Sequence, residues 1–233
     1  MSTSLSAATK ALARFTTCDI GDALVTLGVV YGGHLSGLKM YSQNPNSPSS
    51  STIPTNKVFG PAYTIEMVPQ SDKTSPKPAK HFVDTIPKDA VVFVSQPKDM
   101  YSACWGGLMS MRAKYLGARG VAVDGRFRDV GEQRGLGFPV FARGTSILGS
   151  SIFSRTSRLN APLLFTSTLQ AEPLTINPGD LIMGDEDGVV VVPPGLVEQC
   201  LKLCEERWEI DEKTKEALER GEEMGPTIQR LRK

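Results

Sequence analysis

The decapeptide VAVDGRFRDV, Val121 to Val130, decides how this sequence folds. Its opening residues are apolar on both faces, the pattern of a strand covered on each side. Its closing residues are charged, with Arg126, Arg128 and Asp129 crowded together after Gly125. The reading is a buried strand that ends in an Asp124–Gly125 turn, with Asp124 bonding the backbone of its own turn. The charged side chains then stand where a buried scaffold meets solvent.

Immediately upstream, SACWGGLMSMRAKYLGARG reads as a helix that opens near Gly106 and Gly107 and ends at a glycine. Leu108, Met111, Ala113 and Leu116 support it. Before it, VFGPAYTIEMV and DAVVFVS read as strands, the second apolar on both faces and central, with a short helical stretch around His81 to Ile86 between them. Strand, helix, strand in that order is a right-handed crossover, so the sheet is at least partly parallel. Connectivity read this way places the helix start beside the opposite end of the sheet from the exit of the strand that follows. A single site joining them then needs a loop folding back, or a neighbouring subunit.

Toward the N-terminus, TTCDIGDALVTLG has the form of a capped helix closed by Gly28, with Asp22 in its first turns. The opening MSTSLSAATKALARF reads as a first helix through Leu5, Ala8, Leu12 and Phe15; free of acids and carrying Lys10 and Arg14, it also has the composition of a mitochondrial presequence. Residues 42–56 are rich in Ser, Pro and Asn and read as a flexible insertion. Downstream, FPVFARG, APLLFTSTLQ and DLIMGDEDGVVVVP give short strands without long helices between them, a second and mostly β layer. Asp180, Asp185, Glu186 and Asp187 lack EF-hand spacing and read as turn residues capping their own backbone. From 195 to 232 the chain reads as one charged helix, with Val197, Leu201, Cys204 and Trp208 on a stripe. The expectation is one domain over residues 1–233.

Composition narrows the function. With 26 Lys plus Arg against 25 Asp plus Glu the net charge is +1, and no nucleic-acid partner is expected. No apolar run is long enough for a membrane span. Four cysteines without a CxxC pair read as reduced thiols of a cytoplasmic protein, and the two histidines leave no histidine-rich zinc site. The chain has no GxGxxG after a strand, no Walker loop and no GxSxG elbow, which argues against nucleotide and nicotinamide chemistry and against a methyltransferase that needs a glycine loop for its cofactor.

What remains are two features. In WGGLM, Trp105 to Met109, a helix start offers backbone N–H groups to a small anion, and the two glycines either admit that anion or merely permit a tight turn. In DGRFRD, Arg128 can hold a carboxylate or a developing enolate and Asp129 can ligate a divalent cation; the alternative is an ordinary exposed ion pair.

Taken in order, CDIGDAL, WGGLM, VAVDGRFRDV and GDEDGVVVVP resemble the family of the regulator of ribonuclease activity A, over about Thr17 to Gly221. That family includes class II 4-hydroxy-4-methyl-2-oxoglutarate aldolases that also decarboxylate oxaloacetate. The resemblance implies an α/β fold, a three-layer β/β/α sandwich of the swivelling-domain type, in homotrimers or hexamers with sites between subunits. It implies Mg²⁺ or Mn²⁺ on Asp129, a 2-oxo acid on Arg128, and the pyruvyl carboxylate at the backbone of Gly106, Gly107, Leu108 and Met109. Family members often carry an acid directly after the WG, and this chain has Gly107 there. Asp22, or Asp211 or Glu212 from a neighbouring chain, are the candidates for an acid near the metal's waters. The family's non-catalytic members imply the other possibility, a regulator that binds and inhibits a ribonuclease or another protein.

Overall fold

The structure, a computed structural model, describes residues 7–42 and 57–232. The insertion expected over 42–56 therefore lies outside the described residues except for Ser42, and so does Leu5 of the first helix. In chain order the elements are α1 (Ala7–Leu12), α2 (Thr17–Thr26), β1 (Lys39–Met40), β2 (Val58–Pro69), β3 (Val91–Ser95), α3 (Gly107–Tyr115), β4 (Gly120–Phe127) and α4 (Val130–Leu136). There follow β5 (Val140–Thr145), β6 (Ser154–Leu159), β7 (Leu163–Phe165), β8 (Leu174–Ile176), β9 (Leu181–Gly184), β10 (Val189–Val192), α5 (Val197–Glu219) and α6 (Met224–Leu231).

Strands β5, β4, β3 and β2 are parallel neighbours, so the crossover read around Val121 is present. The long β2 then serves two layers. Its first residues, Val58–Pro61, pair antiparallel with β9, and from Ala62 onward it pairs with β3, with β6 along its far end. Strand β10 extends the second layer beyond β9, and β7 and β8 form a separate hairpin.

Side-chain alternation explains the layers. Val92 and Val94 of β3 and Val121 and Val123 of β4 face Trp105 and Ala113 on the α3 side. Phe93 and Ala122 face the other way, onto Phe165, Ile176 and Ile182. A strand buried on both faces must be apolar throughout, and each such valine contributes about 2 kcal/mol by leaving water. Outside the second layer, Met183, Val190 and Val192 pack on Leu12, Ile20, Leu24, Cys200 and Cys204 of the terminal helices. The result is the β/β/α sandwich of the swivelling-domain type, with a charged C-terminal helical segment.

Several local expectations need correction. Asp124 and Gly125 are not a turn: β4 runs on to Phe127, and its register with β5 shifts between Val123 and Arg126. Asp124 is partly buried in the strand and pairs with Arg143 of β5 rather than with its own backbone. On α3 the buried residues are Gly107, Ser110 and Ala113, whereas Leu108 and Met111 are exposed. Small residues face inward because the helix lies close to the sheet, where Ser110 Oγ accepts from Trp105 Nε1 at 2.7 Å. The single helix expected over 195–232 breaks after Glu219, where Gly221 takes φ +85° and turns the chain into α6. Helix α4 was not expected from the sequence, its seven residues including two glycines. Ser42, at the edge of the insertion, is buried: its Oγ donates to Phe138 O and accepts from Val140 N, both at 2.7 Å.

The reading of TTCDIGDALVTLG as a capped helix holds, while the first helix ends at Leu12, short of Phe15. Thr16 and Asp19 form a reciprocal capping box on α2, and Gly28 closes the helix at φ +79°. Asp185 accepts from Asp187 N at 3.1 Å as a turn residue does, and also from Thr17 N at 2.7 Å, which ties the β9–β10 turn to the start of α2.

Candidate active site

Past the end of β3 the chain returns alongside β4. Cys104 N donates to Arg126 O at 2.9 Å, Arg128 N donates to Trp105 O at 3.0 Å, and Trp105 and Phe127 form a parallel bridge. WGG thus lies directly beside the end of β4 within one chain, and the expectation that it sits at the opposite end of the sheet is corrected. In a crossover the helix runs antiparallel to the strands it joins, so it begins at the edge where the strands end. Gln96 clasps the returning segment: its Oε1 accepts from Arg126 N at 2.9 Å and its Nε2 donates to Ser102 O at 2.8 Å. The Gln96 side chain fills the space that a Cβ on Gly125 would need, which is why that strand residue is glycine.

Asp129 sits between two helices. It is the N-cap residue of α4 in the left-handed region, φ +65° and ψ +44°, a conformation Asp tolerates better than most residues. Its side chain does not cap α4. Instead Oδ2 accepts from Gly107 N at 2.9 Å, so Asp129 caps α3, whose own N-cap Gly106 has no side chain. A Cβ on Gly106 would lie 2.8 Å from Asp129 Oδ2 and 3.4 Å from Arg128 Nε. Gly106 has extended backbone that any residue can adopt, so what a side chain there would disturb is the position of the Asp129 carboxylate.

Arg128 Nε stands 3.6 Å from Asp129 Oδ2, with the guanidinium half exposed. Its Nη1 lies 3.1 Å from where a Cβ on Gly149 would be. The loop carrying Gly149 is pinned to both neighbours, Ser146 N donating to Phe127 O at 2.9 Å and Ala103 N to Leu148 O at 2.8 Å. Below, buried Gln133 of α4 donates from Nε2 to Arg128 O at 3.4 Å. Arg128, Asp129, Gly106, Gly107, Leu108 and Met109 are therefore brought together on one edge. Of the amides expected to take a carboxylate, that of Gly107 is occupied by Asp129, and that of Met109 donates to Gly106 O at 3.1 Å.

Asp22, Asp211 and Glu212 are not brought to this edge within one chain. Arg207 of α5 lies 3.4 Å from Asp22 and 3.6 Å from Asp211, and Glu212 pairs with Lys215 at 2.7 Å. Beside the site, at the ends of the same parallel strands, a cavity of about 210 Å³ is lined by Gln96, Lys98, Asp124, Arg126, Arg143 and Thr166. Burial raises the Asp124 carboxyl above its ordinary value, and the neighbouring Arg143 pulls the other way. Burial pushes the Cys104 thiol up to about 12, which leaves it inert as a nucleophile.

Among the described residues no group of three or more His, Cys, Asp and Glu side chains is arranged to hold a metal. The site instead offers hard oxygen donors, the partly exposed Asp129 carboxylate and, over Gly107, that of Glu132. That donor set excludes structural zinc and fits Mg²⁺ or Mn²⁺, which bind through one or two carboxylates and fill the remaining positions with water and substrate oxygens. Gln96, Glu132 and Gln133 were missed from the sequence. Only the spacing of Glu132, three residues after Asp129 on a helix, carried a signal.

A family model described as RraA-like, Aldolase/RraA, matches residues 17–191. Protein DlpA of Legionella pneumophila is 31% identical over 198 residues, covering 82% of this chain and 29% of that protein, so the chain spans under a third of that relative's length. A putative 4-hydroxy-4-methyl-2-oxoglutarate aldolase of Halalkalibacterium halodurans is 33% identical over 163 residues, 70% of this chain and 72% of its own. An uncharacterized protein from Pseudomonas syringae shares the fold with a TM-score of 0.79 at 22% identity, over 97% of this chain and 98% of that one.

Proposed function

The chain belongs to the RraA-like family, and on that premise we propose that it is a divalent-metal-dependent lyase that cleaves a carbon–carbon bond of a 2-oxo acid and releases pyruvate. Its substrates on this reading are 4-hydroxy-4-methyl-2-oxoglutarate and oxaloacetate. The observation that carries it is the meeting of Arg128, Asp129 and the start of α3 on one edge of the sheet. The name of the Halalkalibacterium halodurans relative supports the same reaction class.

Asp129 would hold Mg²⁺ or Mn²⁺. When bound, such a cation supplies electrophilic pull on the keto oxygen of a 2-oxo acid. Arg128 presents a fork of donors to the substrate carboxylate and to the negative charge that grows on the pyruvyl fragment as the bond breaks. The positive end of the α3 dipole acts in the same direction, and the Gly107 bond holds Asp129 in place so that neither group has to reorganise during reaction. With oxaloacetate the departing fragment is carbon dioxide and no base is needed. With a 4-hydroxy substrate a base must take the hydroxyl proton.

We also propose that the site works in a trimer or hexamer. Leu108, Met111 and Tyr115 stand exposed along one side of α3, beginning at the site, and Ile147 is exposed on the loop beside Arg128. A partner packed there would cover apolar surface and wall the site at once. Light scattering of the purified chain tests this, and a monomer at micromolar concentration would refute it. All four cysteines are free, in keeping with a cytoplasmic setting.

The direct test is pyruvate release from both substrates with Mn²⁺, against a blank of free metal. Turnover above the blank that stops in excess chelator is the expected result. Rates equal to the blank with both substrates overturn the lyase reading in favour of a regulatory one.

A further inference from the structure

We propose that Glu132, whose carboxylate lies over Gly107 at the start of α3, is the base of this site for 4-hydroxy substrates. The inference rests on the lyase reading above and assigns a residue that the sequence motifs did not single out.

The argument begins with Gly107. It is the first residue of α3 and its φ is not positive, so nothing in the backbone asks for glycine, which weakens a helix. The Glu132 carboxyl lies over it: a Cβ built on Gly107 would fall within that group, whose Cδ and both oxygens are its nearest neighbours, so a side chain there would displace the flexible end of Glu132. Crowding is not general along α4, because Gly131 and Gly135 have nothing within 4 Å of where a Cβ would be. The second glycine of WGG and the acid of α4 are thus coupled in one small volume.

Glu132 lies in the first turn of α4, three residues after its N-cap Asp129. Asp129 reaches Gly107 N and Glu132 lies over Gly107 itself, which sets the two carboxylates against the start of α3, with Arg128 beside them. Their tasks differ. The Asp129 carboxylate is engaged with the α3 backbone, whereas Glu132 is exposed and, among the described residues, has no ion pair or side-chain hydrogen bond. An unengaged carboxylate beside a pyruvyl-binding edge is placed to take a proton from a substrate held there.

In the step so assigned, Glu132 removes the proton of the C4 hydroxyl. The O–H electrons form the new C4 carbonyl, the C3–C4 bond breaks, and its electron pair passes into the enolate of pyruvate. Return of the same proton to C3 yields pyruvate and frees the carboxylate. Oxaloacetate needs no such removal, because its C4 leaves as carbon dioxide, and the proton that its enolate takes at C3 comes from water.

The experiment compares the two substrates in the full-length chain. Glu132→Gln keeps the shape of the side chain and should lower kcat for aldol cleavage at least about 100-fold. It should leave oxaloacetate decarboxylation within about threefold and Mn²⁺ affinity, read by electron paramagnetic resonance, unchanged. Glu132→Ala should lose aldol cleavage in the same way, and adding Gly107→Asp to it should recover at least tenfold, since the vacated volume then accepts an acid from α3. An unchanged aldol rate in Glu132→Gln, an equal loss with both substrates, or no recovery in the double variant overturns the assignment. Wild-type protein inactive with both substrates would overturn the lyase reading itself, a result distinct from an active wild type with an indifferent Glu132→Gln.

Discussion

Asp129 has two separable duties, and two substitutions tell them apart. Asp129→Ala removes the acceptor for Gly107 N, a cap worth about 1 kcal/mol. It also places alanine at φ +65°, which costs about a further 1 kcal/mol relative to a residue that tolerates this region. The two sum to about 2 kcal/mol, which for a domain of this size lowers Tm by roughly 4–8 °C. Asp129→Asn keeps both the acceptor and the backbone preference and removes only the charge, so its Tm should stay within about 2 °C of wild type. Both variants should lose Mn²⁺ binding and metal-dependent pyruvate release, by at least about 100-fold in kcat/KM. Calorimetry and the coupled pyruvate assay are run on the same preparations. If the two variants melt together, the Gly107 bond and the strained backbone contribute nothing; if Asp129→Asn retains Mn²⁺-dependent turnover, the carboxylate is not the metal's holder.

Three further outcomes follow from other contacts. Gly106→Ala introduces a Cβ 2.8 Å from Asp129 Oδ2, so the carboxylate must move off Gly107 N; kcat/KM should fall by about tenfold or more and the thermal midpoint by roughly 2–4 °C as the cap is lost. Arg143→Met leaves the partly buried Asp124 carboxylate without its cation and should cost up to about 3 kcal/mol in urea denaturation at pH 7. Because burial raises Asp124 above its ordinary 3.8, its contribution to stability is greatest below that value and is lost as pH rises through the folded value, so the deficit of Arg143→Met should shrink toward pH 4; a constant deficit would refute it. Glu66 behaves oppositely, since its two bonds to Arg158 at 2.7 Å hold it below its ordinary 4.5. Its contribution is present above pH 4.5 and lost as pH falls through the lowered value, so Glu66→Gln should flatten the acid limb of the stability curve by up to about 1 kcal/mol, a partly exposed pair allowing no more.

The apolar runs at Val91 to Val94 and Val121 to Val123 were legible as central strands because burial on both faces leaves no polar position to disguise them. The capping box at Thr16 and the glycine after α2 were legible for a similar reason, being local bonds among neighbours in the chain. Asp124 was misread as a turn residue because Asp–Gly is common in turns, and its partner Arg143 lies on the next strand, too far along the chain for local chemistry to show. Helix α3 was legible from the spacing of Leu108, Met111, Ala113 and Leu116, but its inward face was not: Leu108 and Met111 are exposed, and Gly107, Ser110 and Ala113 face the core.

What the sequence by itself determined about this protein are the features encoded by near neighbours: the strands, the capped helix, the crossover and the pairing of an arginine with an acid at Arg128 and Asp129. Only the tertiary structure decided that WGG stands beside that pair, that Asp129 caps a helix it does not belong to, and that Glu132 fills the volume left by Gly107. Periodicity and caps report short-range forces within one element. Which side chains share a few ångströms of space is set by how separate elements pack, and no local pattern carries that information.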